Sequence, residues 1–257
     1  MIVRKDAAGG LTLIRQTDHS QFVGQLAAHW GNADFAPLQP YESVVRAATF
    51  HDYGYLNWEP DLPFDQENGI PCEFRKVPTS QRQLDAYQQC IDWLTGIDPY
   101  SGLLVSMHRT GLWRQRYNTI EHPGGMARGS LAPGVEDMAA RNEASQKQQR
   151  QASDPDQLGT NYHLLQVWDL LGLYFGCQEP GEDYIDPVPT TYAGGKTRMS
   201  MAPAGPRKVA FDPYPFDQRP LKVQIAAKRV AGHYPDESAF RKAFAQAPLE
   251  LLEYELV

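Results

Sequence analysis

A chain of 257 residues, 42% hydrophobic and 21% charged, has room for one large domain or one domain with a small appendage, and its composition is far from that of disordered segments. A formal charge of −7 without a compact run of Lys and Arg excludes non-specific binding to a nucleic-acid polymer, which depends on neutralising phosphates. A local basic pocket for a single phosphate group stays open, because net charge does not describe pockets.

Residues 1–16 predict a hairpin, with Ile2 and Val3 and then Leu11, Leu13 and Ile14 flanking Ala8-Gly9-Gly10. From 17 to 178 the periodicity is helical. Thr17 or Asp18 can cap a helix with the stripe His19, Phe22, Val23, Leu26 and Trp30. Pro40 opens a second helix that carries Val44, Val45 and Ala48 toward His51 and Asp52, with Gly54 as its stop. A Pro-, Asp- and Trp-rich loop fills 55–78. A third helix through Leu84, Tyr87, Ile91 and Leu94 stops before Asp98-Pro99, and a short one from 101 to 113 groups Leu104, Met107, His108 and Gly111. Residues 114–133 predict a loop. Residues 135–153 predict a solvated polar helix, and 156–177 a helix that is apolar nearly all round and so central. From 183 the chain is rich in Pro and Gly, then alternates at Leu221, Val223, Ile225, Ala227 and at Leu252, Tyr254, Leu256, with a short helix from Asp236 between. The expected architecture is therefore mainly α: a helical domain at 17–178, with residues 1–16 and 179–257 forming a small antiparallel sheet on it.

Residues 1–10 lack the apolar core of a signal peptide. Tyr162 to Cys177, the most apolar stretch, is too short for a membrane span and contains His163 and Asp169. Cys72, Cys90 and Cys177 make no C-x-x-C pair and suit reduced thiols. The expectation is a cytoplasmic protein with a small-molecule substrate and no membrane partner; association as a homodimer is left open.

The chemistry-bearing residues sit on apolar stripes. His19 lies on the apolar side of its helix, where a hydrogen-bonded core histidine is the plainer reading. Asp169 is the only acid or base between Gly159 and Cys177 apart from His163. A lone carboxylate on a buried helix needs a cation or a basic partner, a metal or a core Arg or Lys. His51-Asp52 is a weak signal alone, since helical neighbours diverge by about 100°, but both can reach an ion beyond the helix end. Imidazole and carboxylate together suit a divalent transition metal: Mn, Fe, Co, Ni or Zn. His108 is a further ligand, a general acid or a core residue, and Arg109 or Arg114 can balance phosphate charge or simply face solvent. Tyr53, Trp58 and Glu59 are either a pocket wall or core packing. Ala193-Gly194-Gly195-Lys196-Thr197 lacks the leading glycine of a phosphate loop.

His19, then His51-Asp52, then Asp169 resembles the H…HD…D signature of the HD-domain superfamily. The resemblance implies a helical bundle, a mononuclear or dinuclear metal site with these four residues as ligands of the first ion, and phosphoester hydrolysis, often of nucleotides. His108 falls where dinuclear members supply extra histidines; His122 is a poor second. The segments TDHSQFVGQLAAHWG, HDYGYLNWEP and LLVSMHRTGL are also similar to a bacterial family without an assigned activity. The expected function is a divalent-metal-dependent hydrolase of a small phosphorylated substrate, with metal-activated water as nucleophile and His108 and Arg109 as catalytic residues. The rivals are a di-iron oxygenase and a non-catalytic protein with a buried His/Asp network.

Overall fold

The structure, a computed structural model, describes residues 1–6, 9–59, 63–114 and 134–257. Strands β1 (Ile2–Lys5) and β2 (Leu11–Ile14) lead into helices α1 (Gln16–Ala28) and α2 (Tyr41–Phe50). A two-stranded ribbon, β3 (Phe64–Asp65) and β4 (Ile70–Pro71), precedes α3 (Gln81–Ile97), α4 (Pro99–Trp113), α5 (Val135–Gln149) and α6 (Pro155–Cys177). Then follow β5 (Asp183–Pro189), β6 (Lys196–Gly205), β7 (Lys208–Asp212), β8 (Leu221–Val230), α7 (Glu237–Gln246) and β9 (Leu249–Leu256).

The mainly α expectation with a small sheet is overturned. Seven strands, in the order β1-β2-β8-β9-β7-β6-β5, form one sheet that curls into a half-barrel, so the fold is α+β with about 23% strand. The N-terminal hairpin does join β8 and β9 in antiparallel fashion, but β9 then pairs in parallel with β7, and β6 and β5 extend the sheet further. The helical bundle implied by the HD resemblance is overturned with it: the helices pack on one another, but α1 and α6 also lie against a large seven-stranded sheet that such a bundle lacks. On that sheet's inner face Leu221, Val223 and Ile225 of β8 stand opposite Leu256, Tyr254 and Leu252 of β9, all buried. Period-two alternation on neighbouring strands builds a continuous apolar surface.

Helix α6 is the inner element between sheet and outer helices. Its apolar circumference fits burial on every side: Phe175 packs on Phe22 of α1 and Tyr254 of β9, and Trp168 on Trp30. Asp154 caps its start by accepting from Asp156 and Gln157 N–H, and Pro155 takes the first helical position. At its other end the buried Arg4 of β1 donates to the Phe175 and Gln178 carbonyls. The polar helix α5 is packed rather than solvated. Val135, Met138, Ala139, Asn142 and Gln146 form its buried stripe, and Gln146 donates to Ser106 and Thr110 on α4. Among the described residues no helix is long and apolar enough to cross a membrane.

Candidate metal centre

Helices α1, α2, α4 and α6 converge on one buried ionic cluster. His51 is the C-cap of α2 and keeps helical geometry, whereas Asp52 steps out of the helix at φ −110°, ψ 16°. This break overcomes the divergence of adjacent helical side chains. His51 Nε2 and Asp52 Oδ2 come within 3.7 Å. Ser20, one residue past His19, fastens the break to α1: its hydroxyl donates to the Thr49 carbonyl at 2.7 Å and accepts from Asp52 N–H at 3.3 Å.

Four donor atoms, one each from His19, His51, Asp52 and Asp169, lie within 4.8 Å of one another, and all four residues are buried. Asp169 Oδ1 is 3.0 Å from His19 Nε2 and 3.4 Å from His51 Nε2. Bonds of about 2.1 Å to one cation separate neighbouring donors by roughly 3.0 Å in an octahedral set and roughly 3.4 Å in a tetrahedral one, so these spacings fit a shared ion. His51 carries its proton on Nδ1, which donates to the Ala48 carbonyl at 2.7 Å; a carbonyl can only accept. Its Nε2 is buried without a normal hydrogen bond and turns a lone pair toward two carboxylates. That arrangement needs positive charge between the groups, either a proton or a metal ion. Fixing the tautomer through the far nitrogen is also how metal-binding histidines are oriented.

The titration behaviour follows from the same geometry. Burial, the largest influence on His51, pushes its pKa down, but Asp52 and Asp169 outweigh it and the net shift is upward. Burial alone would raise the Asp169 pKa; the hydrogen bond with His19 and the nearby His51 and His108 rings instead hold it well below the usual carboxylate range. Asp52 pairs through Oδ1 with Arg109 Nη2, and the Arg109 guanidinium stacks on the Tyr87 ring at 3.8 Å from its centroid. Burial, the main cause, lifts the Tyr87 hydroxyl to about 12, so the phenol stays neutral. The side chains of Asp52, Asp169 and Arg109 keep 7–8% exposure while both histidines keep none, so the carboxylate side is the open side of the cluster.

The remaining candidates divide. The His108 ring meets the His51 ring edge-on with centroids 4.8 Å apart, and His108 is fully buried. Arg114 instead ties α4 to α5 through Glu143 and Glu136. Tyr53 stacks on Trp93, Trp58 packs on Tyr55, and Glu59 caps α1 by accepting from Gln16 N–H at 3.0 Å. Trp58 belongs to the core and Tyr53 packs against it, whereas Glu59 also lines a cavity with Met1, Arg15 and Phe240. His122 lies outside the described residues.

A family model described as protein of unknown function, DUF3891, matches residues 1–232. The chain belongs to the DUF3891 family. No curated protein and no solved structure matches it. The HD-domain assignment is corrected accordingly: the matching family is DUF3891, and the four residues sit in an α+β fold. All six candidate site residues fall inside the DUF3891 match, whereas α7 and β9 lie beyond it.

Within this DUF3891 chain, three residues of the site escape reading from sequence. Ser20 and Tyr87 look like ordinary helix residues until their partners are known. Gly172, in the middle of α6, carries a weak signal. A glycine inside a buried 23-residue helix is costly, and here a Cβ would stand 2.5 Å from His19 Cε1. The missing side chain is what lets the imidazole lie against the helix.

Proposed function

We propose that this protein is a divalent-metal-dependent hydrolase of a small phosphorylated substrate, with its ion held by His19, His51, Asp52 and Asp169. The observation that carries the reading is the convergence of four buried donors from three parts of the chain on one point, with a lone pair of His51 facing two carboxylates. The mixed nitrogen and oxygen set suits Mn, Fe, Co, Ni or Zn. Such an ion supplies Lewis acidity and an acidified water at neutral pH. Asp52 and Asp169 fix its position, His51 is oriented through Ala48, and His108, against the His51 ring, is assigned proton donation to the leaving oxygen. Three free cysteines without a C-x-x-C pair support a cytoplasmic site of action.

A second reading has a specific observation in its favour. Each carboxylate already has a protein partner, Asp169 in His19 and Asp52 in Arg109, as in a purely structural network. A di-iron centre would call for about six protein donors, and the described residues gather four. Elemental analysis and melting with and without chelator separate these readings. The expected result is one divalent ion per chain, a lower Tm after chelation, metal-dependent phosphate release from a panel of phosphomonoesters, and loss of the ion in folded His51→Ala and Asp169→Asn variants. Wild-type metal content in either variant, or a wild-type protein that takes up none of the five metals, would sink the proposal.

A further inference from the structure

Two carboxylates and one guanidinium meet at this centre, and their charges do not cancel. With neutral histidines, Asp52, Asp169 and Arg109 together leave one negative charge. A divalent ion then leaves one positive charge, and protonation of any nearby histidine only adds to it. Arg109 is close enough to both carboxylates to feel each of them electrostatically. It is 7% exposed, and its planar group rests on Tyr87 and faces the Tyr55 ring at 5.9 Å. A guanidinium does not lose its proton in a protein, so this charge is permanent. Buried net charge is unfavourable unless a counter-charge completes it.

On the metal-centre reading above, we infer that Arg109 is a positioning residue that sets the charge of the centre, so that the loaded site is one unit positive and selects an oxyanion as its exchangeable ligand. Without Arg109 the loaded site would be neutral and would show no such preference. The guanidinium acts through Asp52. By occupying Oδ1 it leaves Oδ2 as the oxygen turned toward His51. It also withdraws negative charge from the donor set, which weakens the hold on the cation while strengthening the hold on an anion. A residue that merely braced α4 against the α2 terminus would support both ligands alike, so opposite signs distinguish the two roles.

The test uses the full chain with Mn2+ and inorganic phosphate as probes, followed by calorimetry. Arg109→Met should bind Mn2+ as tightly as wild type or more tightly, while the Mn2+-loaded variant loses about tenfold or more in phosphate affinity, as expected for removing a unit charge several ångströms away in a partly desolvated site. Arg109→Lys, which keeps the charge but not the stack, should recover part of the phosphate affinity. Unchanged phosphate affinity in Arg109→Met, or parallel loss of Mn2+ and phosphate from a protein with wild-type circular dichroism, overturns the inference and leaves the metal reading standing. Should Arg109→Met not fold, the loaded wild type decides: it should prefer phosphate to neutral imidazole by about tenfold or more, and equal affinity overturns the inference. A wild-type protein that takes up no Mn2+ removes the metal reading and this inference together.

Discussion

The two layers of this protein bury different things. The inner face of the sheet is lined by Met199, Met201, Val209, Phe211, Leu221, Val223, Ile225, Leu252 and Leu256, each at most 3% exposed. The helical layer buries His19, His51, Asp52, Arg109 and Asp169 at one point and Ser106, Asn142 and Gln146 at another. Folding stability accounts for the first layer, since apolar burial contributes about 25 cal/mol per Å². It does not account for the ionic cluster, because desolvating charges offsets most of their mutual attraction and apolar groups of equal volume do as well or better. Apolar burial on the sheet drives folding, and the ionic cluster is not explained by the same term.

This division breaks if damage to the sheet reaches the cluster. Ile225 is fully buried on β8 opposite Leu252. Ile225→Ala should lower unfolding free energy by about 2–5 kcal/mol through lost burial and the cavity left behind. Metal content per folded molecule should stay at the wild-type value. A metal affinity that falls while the protein is still folded at the assay temperature would show that the two layers are one cooperative device.

The converse substitution acts on the cluster from within the helical layer. Ala is ordinarily favoured over Gly inside a helix by about 1 kcal/mol. At Gly172 the added Cβ would meet His19 Cε1 at 2.5 Å and Val23 Cγ2 at 2.6 Å, so the ring and the neighbouring core side chain must both shift. Gly172→Ala should cost about 10–100-fold in Mn2+ affinity, the scale of a lost orienting contact at a metal ligand, and overpacking should lower the stability of the metal-free protein by about 1–3 kcal/mol. Gly159 on the same helix has open space at its Cβ position. Gly159→Ala is therefore the control, more stable than wild type and unchanged in affinity. Equal metal affinities in the two variants would sink the role given to Gly172.

The same contrast explains what the sequence reveals. The four cluster residues are legible because polar groups on otherwise apolar stripes are costly to bury, which points to a partner. The HD signature that the same four residues spell out led to the wrong architecture, since a four-residue pattern does not specify what surrounds it. The missing strands have a physical cause. Pro187 and Pro189 interrupt β5 and Pro203 interrupts β6, which reads as loop, yet β5 is the sheet edge, where a missing N–H is tolerated. The parallel pairing of β9 with β7 joins segments with no local signal between them. The packed face of α5 hides for a different reason: Asn142 and Gln146 look solvated until Ser106 and Thr110 are placed opposite them. Arg109 shows its charge in the sequence but not that Asp52 and Tyr87 are its partners.

The seam between the layers offers the smallest test and the most specific in pH. His163 of α6 faces the β5–β6 hairpin: it hydrogen-bonds the Pro187 carbonyl and lies near Lys196, and its Nε2 is buried without a hydrogen bond. Burial first, then the Lys196 charge, lower its pKa to about 4. The folded state thus prefers neutral His163, whereas the unfolded chain protonates it near the ordinary value of about 6.5. As pH falls from about 6.5 toward 4 the unfolded state takes up the proton first, so stability declines through that window, and the decline is complete below the folded pKa. With a discount for its partial exposure the effect is about 1–2 kcal/mol. Urea unfolding at pH 6.5 and 4.5 should show this loss in wild type and a smaller one in His163→Gln, which cannot take the proton. Because carboxylates titrate alike in both proteins, only the difference between the two slopes counts. Equal slopes would mean that the seam does not sense acid, and that any acid lability arises within one layer or the other.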